Sequence, residues 1–170
     1  ARCVQEAGMV PILEPEVLYD GMHSRMRSRA VITESLHALV QALGEHGVDP
    51  SAVIIKTSMA MSGKGTGKID TPEEVAEDTL AALTEAVPAA VPGIVFLSGG
   101  QGNDQATDNL RAIAKAAKAA GAPWGISFSY ARALQDEALK IWGGKDENVQ
   151  AAREAFLGRL LKVSKATLGE

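Results

Sequence analysis

The sequence predicts an α/β fold built on a parallel sheet, and three observations carry that expectation. Four short runs rich in β-formers alternate with segments of helical periodicity. The runs are apolar almost throughout, the pattern of strands covered on both faces. No Pro- or Ser-rich stretch divides the 170 residues, a one-domain length. Strands that alternate with helices imply parallel pairing through right-handed crossovers.

The first run is "GMVPIL", residues 8–13. Residues 25–45 then carry Val31, Leu36, Leu39, Val40 and Leu43 at helical spacing. The second run, "AVIIK", spans 52–56 and precedes a helix over 71–86. That helix opens "TPEE", with Thr71 as N-cap, Pro72 at the first helical position and Glu74 completing a capping box. The third run, "GIVFLS", spans 93–98, and an Ala-rich helix follows over 103–120, ending at Gly121 as a left-handed cap. The fourth, "WGISFS", spans 124–129, with helices expected over 131–141 and 147–164 on either side of "GGKDEN". "SGKGTGK", residues 62–68, lacks the register of a P-loop, because Ile69 stands where Ser or Thr is required. It reads as a mobile loop leading into the capped helix. Trp124 and Trp142 read as packing residues.

Two architectures use this order: a doubly wound open sheet and a (β/α)8 TIM barrel. The placement of polar residues favours the barrel. The first strand ends in Glu14, the second in Lys56, the third in Ser98, Gly99 and Gly100, and the fourth in Ser129. A barrel gathers strand ends around one axis and builds its site there. An open sheet concentrates its chemistry at one crevice. Four βα units make half a barrel.

Composition narrows the function. Hydrophobic residues make up 46% and the net charge is −4, without long charged runs, which argues against nucleic acid or an anionic membrane as partner. The apolar runs are too short for a membrane-spanning helix. The first ten residues lack a signal-peptide layout. Cys3 is the only cysteine, which fits a reducing cytoplasm. His23, His37 and His46 are scattered and read as surface or helix residues, and neither a metal nor a cofactor is expected.

The chemistry-bearing candidates sit at the strand ends. Lys56 closes an apolar strand. Apolar surroundings favour the neutral, nucleophilic amine, and an amine that attacks a ketone forms a Schiff base, an electron sink for carbon–carbon cleavage. The bland alternative is a lysine that snorkels to water. Glu14 and Glu16 flank Pro15. If the strand continues through the proline, both carboxylates share a face and form a proton shuttle. "LSGGQG" precedes a helix, where glycines let backbone N–H groups close on an anion. Ser129 offers a hydroxyl, and Arg132 offers a cation suited to phosphate.

"GMVPILEPEVL", "VIIKTSM", "GIVFLSGGQG", "SFSYARALQ" and "ALKIWGGKDEN" together resemble the class I fructose-bisphosphate aldolases, the metal-independent Schiff-base family. The resemblance spans nearly the whole chain. It implies a (β/α)8 barrel that cleaves fructose 1,6-bisphosphate to dihydroxyacetone phosphate and glyceraldehyde 3-phosphate. By resemblance, Lys56 matches the Schiff-base lysine, Glu14 the general acid/base and Glu16 the neighbour that holds the lysine. Ser98, Gly99 and Gly100 match the phosphate loop, and Ser129, Ala131 and Arg132 match further substrate positions. Ala131 departs from a common glycine there, which implies tuned phosphate binding. The segments look like strands five to eight. The chain is therefore expected to be the C-terminal half of a single barrel domain, binding a sugar phosphate and partnered by an N-terminal half-barrel or by itself. A non-catalytic half-barrel, serving as a phosphate-binding or assembly module, is the alternative.

Overall fold

A computed structural model describes residues 1–170. A short helix, α1 (Arg2–Glu6), leads into strand β1 (Ile12–Leu13). Helix α2 (Arg25–Glu45), strand β2 (Ile54–Thr57), helix α3 (Pro72–Ala86), strand β3 (Gly93–Phe96) and helix α4 (Asn103–Ala120) follow. Strand β4 (Gly125–Phe128) and helices α5 (Arg132–Trp142) and α6 (Val149–Ala166) complete the chain.

All strand pairs are parallel and the sheet order is β1-β2-β3-β4. A doubly wound sheet reverses its strand order at a switch point. This sheet never reverses, so the four βα units run in barrel order, and the sheet does not close on itself.

The register separates the two faces. Leu13, Ile55, Ile94 and Ile126 lie side by side, as do Thr57, Phe96 and Phe128 one pleat on. Ile55, Ile94 and Phe96 are fully buried, and they belong to one continuous core with Leu36, Leu83 and Leu110 from the helices. The opposite face carries Ile12, Ile54, Lys56, Gly93, Val95, Gly125 and Ser127. It is half open, and Ile12 is 55% exposed. The helices pack in chain order, α2 on α3 and α3 on α4, with α5 and α6 against α4. Apolar strands had suggested cover on both faces, but within this chain the helices cover only one.

The local signals act as their chemistry requires. The Thr71 hydroxyl accepts from the Glu74 N–H at 3.2 Å, and the Glu74 carboxylate accepts from the Thr71 N–H at 2.9 Å. Gly121 ends α4 at φ +65°, a conformation that costs a residue with a Cβ. Three expectations need correction. The first strand pairs only at Ile12–Leu13, not over 8–13, because it has a neighbour on one side only and Gly8 turns the chain at φ +74°. Trp124 is buried and donates to the Pro88 carbonyl at 3.0 Å, whereas Trp142 is 41% exposed and lines an open cavity with Leu139 of α5 and Phe156 of α6. Segment 62–68 is not a free loop. Gly63 N–H donates to His23 O, Lys64 N–H to Tyr19 O and Gly65 N–H to Gly21 O, at 2.8, 2.9 and 2.8 Å. A Cβ on Gly63 would stand 2.5 Å from the Gly21 carbonyl oxygen, so glycine is what permits the approach. No helix is long and apolar enough to cross a membrane.

Replacing Thr71 with Ala should destabilise the chain by about 1 kcal/mol, the usual worth of a side-chain N-cap. Thr71→Ser should recover most of it. A urea midpoint that moves without a change in slope is the expected reading.

Candidate active site

Parallel pairing brings all four strand C-termini to one end of the sheet. Lys56 is the third residue of β2, and its alternation within the strand points it to the open face. Glu14 directly follows β1 on the adjoining strand. The two meet: Lys56 Nζ lies 2.8 Å from Glu14 Oε1. The lysine side chain is 19% exposed and the glutamate 45%. The amine is therefore not sealed in an apolar wall; a carboxylate is its immediate partner. Glu16 makes no ion pair with Lys56. β1 stops at Leu13, the strand pattern does not persist through Pro15, and Glu16 is exposed without a hydrogen bond or ion pair. Strand alternation therefore does not extend to Glu14 and Glu16.

Downstream of β3, Gly99 and Gly100 adopt φ +57° and +92°. Both values lie in the left-handed region that favours glycine. The turn closes with Gln101 N–H donating to Ser98 O at 2.9 Å. Arg132, the first residue of α5, lies over this turn. Its Nη2 is 3.6 Å from where a Gly100 Cβ would stand. Ser129 follows β4, its N–H held by Phe96 O at 2.9 Å. Ala131 is the N-cap of α5.

Helix starts differ in a way that matters here. α2 and α3 are capped by Ser24 and Thr71, while α4 and α5 begin at Gly102 and Ala131 without any side-chain cap. The uncapped starts flank the glycine turn and Arg132. The Arg132 guanidinium reaches the glycine turn that leads into α4, and a cation beside an uncapped helix start is a combination suited to an anion.

Buried polar groups that sequence reasoning missed tie these loops together. The Ser58 hydroxyl, following β2, accepts from Val17 N–H at 2.9 Å and donates to Val17 O at 3.1 Å, joining the first two loops. Gln101 and Asn109 are buried, and the Asn109 amide donates to Gln101 Oε1 at 2.8 Å. The Tyr130 hydroxyl donates to Ala106 O at 2.8 Å, and burial pushes its pKa up. The buried carboxylate of Asp70 accepts from Ser62 N–H and Oγ at 2.6 and 3.0 Å and pairs with Lys68 at 3.0 Å. Burial works to raise the Asp70 pKa, but the bonds from Ser62 and Lys68 outweigh it and hold the group below its ordinary 3.8.

With this geometry in place, comparison with known proteins is decisive. The family model for class-I fructose-bisphosphate aldolase, a glycolytic family, matches residues 1–170. The chain belongs to the class-I fructose-bisphosphate aldolases. It is 49% identical over 167 residues to the cytosolic fructose-bisphosphate aldolase 6 of Arabidopsis thaliana, covering 97% of this chain and 45% of that protein. It is 46% identical over 170 residues to fructose-bisphosphate aldolase B of Ovis aries, covering 100% of this chain and 46% of that protein. A crystal structure of fructose-bisphosphate aldolase from Plasmodium falciparum, in complex with TRAP and a small-molecule inhibitor, superposes with a TM-score of 0.88 at 42% identity. That match covers 94% of this chain and 45% of the other. The chain thus spans less than half the length of these family members.

The lowered pKa of Asp70 has a sign. Its contribution to stability is fully present above the ordinary value of 3.8 and is lost as pH falls through the lower folded value. Asp70→Asn should therefore remove that part of the acid dependence, and unfolding curves of the two proteins should differ less below pH 3.8 than above it.

Proposed function

We propose that the chain supplies the imine-forming half of a class I fructose-bisphosphate aldolase. The observation that carries this reading is the 2.8 Å contact between Lys56 and Glu14 at the C-terminal ends of adjacent strands. In the proposed reaction, Nζ adds to the ketone carbon of the sugar phosphate. The carbinolamine oxygen leaves as water with a proton from Glu14. The resulting iminium takes up the electron pair of the carbon–carbon bond as it breaks and becomes an enamine, while the hydroxyl on the departing carbon gives its proton to a base and becomes the aldehyde product. A proton added at the enamine carbon regenerates the iminium, and its hydrolysis frees dihydroxyacetone phosphate and the lysine. The 2.8 Å contact supports Glu14 as the proton donor, since general acid–base work requires hydrogen-bond reach. The Gly99–Gly100 turn, the starts of α4 and α5, and Arg132 hold a substrate phosphate, with Ser98 and Ser129 beside it. Ala131 keeps the backbone N–H that a glycine would offer there.

The rest of the site comes from elsewhere. In this reading the chain is the C-terminal half of one barrel domain, corresponding to strands five to eight. The family's further acids and bases lie on strands one to four, and those strands cover the open face and edges seen here. Edges and apolar patches left uncovered drive association. The cytosol is the proposed location, as in the Arabidopsis relative.

Borohydride reduction in the presence of dihydroxyacetone phosphate should fix a three-carbon phosphate adduct on Lys56, seen by peptide mass mapping. An adduct on Lys64 or Lys68 instead would refute the assignment.

Expressed alone, the 170-residue chain should self-associate and show little or no cleavage of fructose 1,6-bisphosphate. Adding a separately expressed strand one-to-four half should restore turnover. A monodisperse monomer with full turnover and no added partner would show that this reading of the open face is wrong.

A further inference from the structure

The buried stripe of α6 runs through Ala152, Phe156, Arg159, Val163 and Ala166, at alternating spacings of four and three. An arginine stands in the middle of it. Arg159 is 6% exposed, and burying a guanidinium is costly unless its donors are satisfied. They are satisfied by two other helices. Nε donates to Ala133 O at 2.8 Å, in the first turn of α5. Nη2 donates to Asn103 O, at the first residue of α4, and, at 2.5 Å, to Thr107 Oγ1, one turn further along the same helix. Nη1 lies 3.5 Å from Asp104 Oδ1.

These two first turns are the ones that begin without caps beside the glycine turn. Asn103 follows Gly99–Gly102 directly, and Ala133 is the residue next to Arg132. One rigid fork therefore sets the distance between the glycine turn and the cation above it. We infer that Arg159 is a positioning residue for phosphate: it touches no substrate, but it fixes the spacing of the two halves of the phosphate site. The inference rests on the imine-forming reading above and deepens it, since it concerns recognition of the phosphate rather than attack on the ketone.

The fork geometry makes a specific demand. A lysine offers a point charge and cannot bridge three acceptors in a plane. The test is borohydride trapping at Lys56 on the full chain with two ketones, dihydroxyacetone phosphate and dihydroxyacetone. In Arg159→Lys the half-saturating concentration of the phosphorylated ketone should rise about tenfold, the order expected for loss of one charge-assisted contact, while that of the unphosphorylated ketone holds. Thr107→Val leaves Arg159 in place and removes one acceptor, so it should give the same selective loss in smaller measure. This variant decides the matter if Arg159→Lys does not fold. Equal loss for both ketones, or no loss for either, overturns the inference. If the unaltered chain traps neither ketone, the imine-forming reading itself fails, and this inference falls with it.

Discussion

Everything in this chain depends on parallel pairing. Leu13, Ile55, Ile94 and Ile126 align across four strands and face the helices, which fixes which side of each strand is buried. Side chains alternate along a strand, so Lys56 must then face the other way. A slip of one residue would turn its amine toward the core. Because all strands run in one direction, the residues that end them share one rim of the sheet. Glu14 meets Lys56 there although 41 residues separate them in sequence.

The rim is made of loops, and loops hold position only if their polar groups are answered. The chain answers them with buried side chains rather than with apolar packing. Ser58 ties the first loop to the second, the Gln101–Asn109 pair anchors the third, and Arg159 and Tyr130 hold the first turn of α4 through Asn103 and Ala106. Each buried polar group costs desolvation unless its partners are in place, so each such tie tolerates little displacement. Asp70 extends the same principle behind the rim, collecting Ser62 and Lys68 beside Arg25. Gly63 and Gly65 complete it by bringing two backbones closer than any Cβ would permit.

Membership in the aldolase family and the open face belong together. The chain matches its relatives over almost its full length yet spans less than half of theirs. Its strands follow barrel order without closing, and their uncovered face carries both apolar residues and the Lys56–Glu14 pair. In a closed ring that face is the interior, where packed side chains hold catalytic groups at the strand ends. Fold and family are thus visible in this chain alone, while a complete barrel interior is not.

Much of this was legible in the residues. Strand and helix order, the Thr71 capping box, the Gly121 stop and the strand-end positions of Glu14 and Lys56 all follow from local periodicity and short-range chemistry, which act within a few residues. Other features depended on distance in space. That β1 would shrink to two residues, so that strand alternation stops short of Glu14 and Glu16, followed from an edge strand without a second neighbour. "SGKGTGK" looked mobile because its partners, Tyr19, Gly21 and His23, lie far away in sequence. Arg159 shows the division most plainly. The stripe of α6 placed it among buried residues, but only the packing of three helices decided that its donors would meet Ala133, Asn103 and Thr107, since periodicity reports which face is buried and not what lies against it.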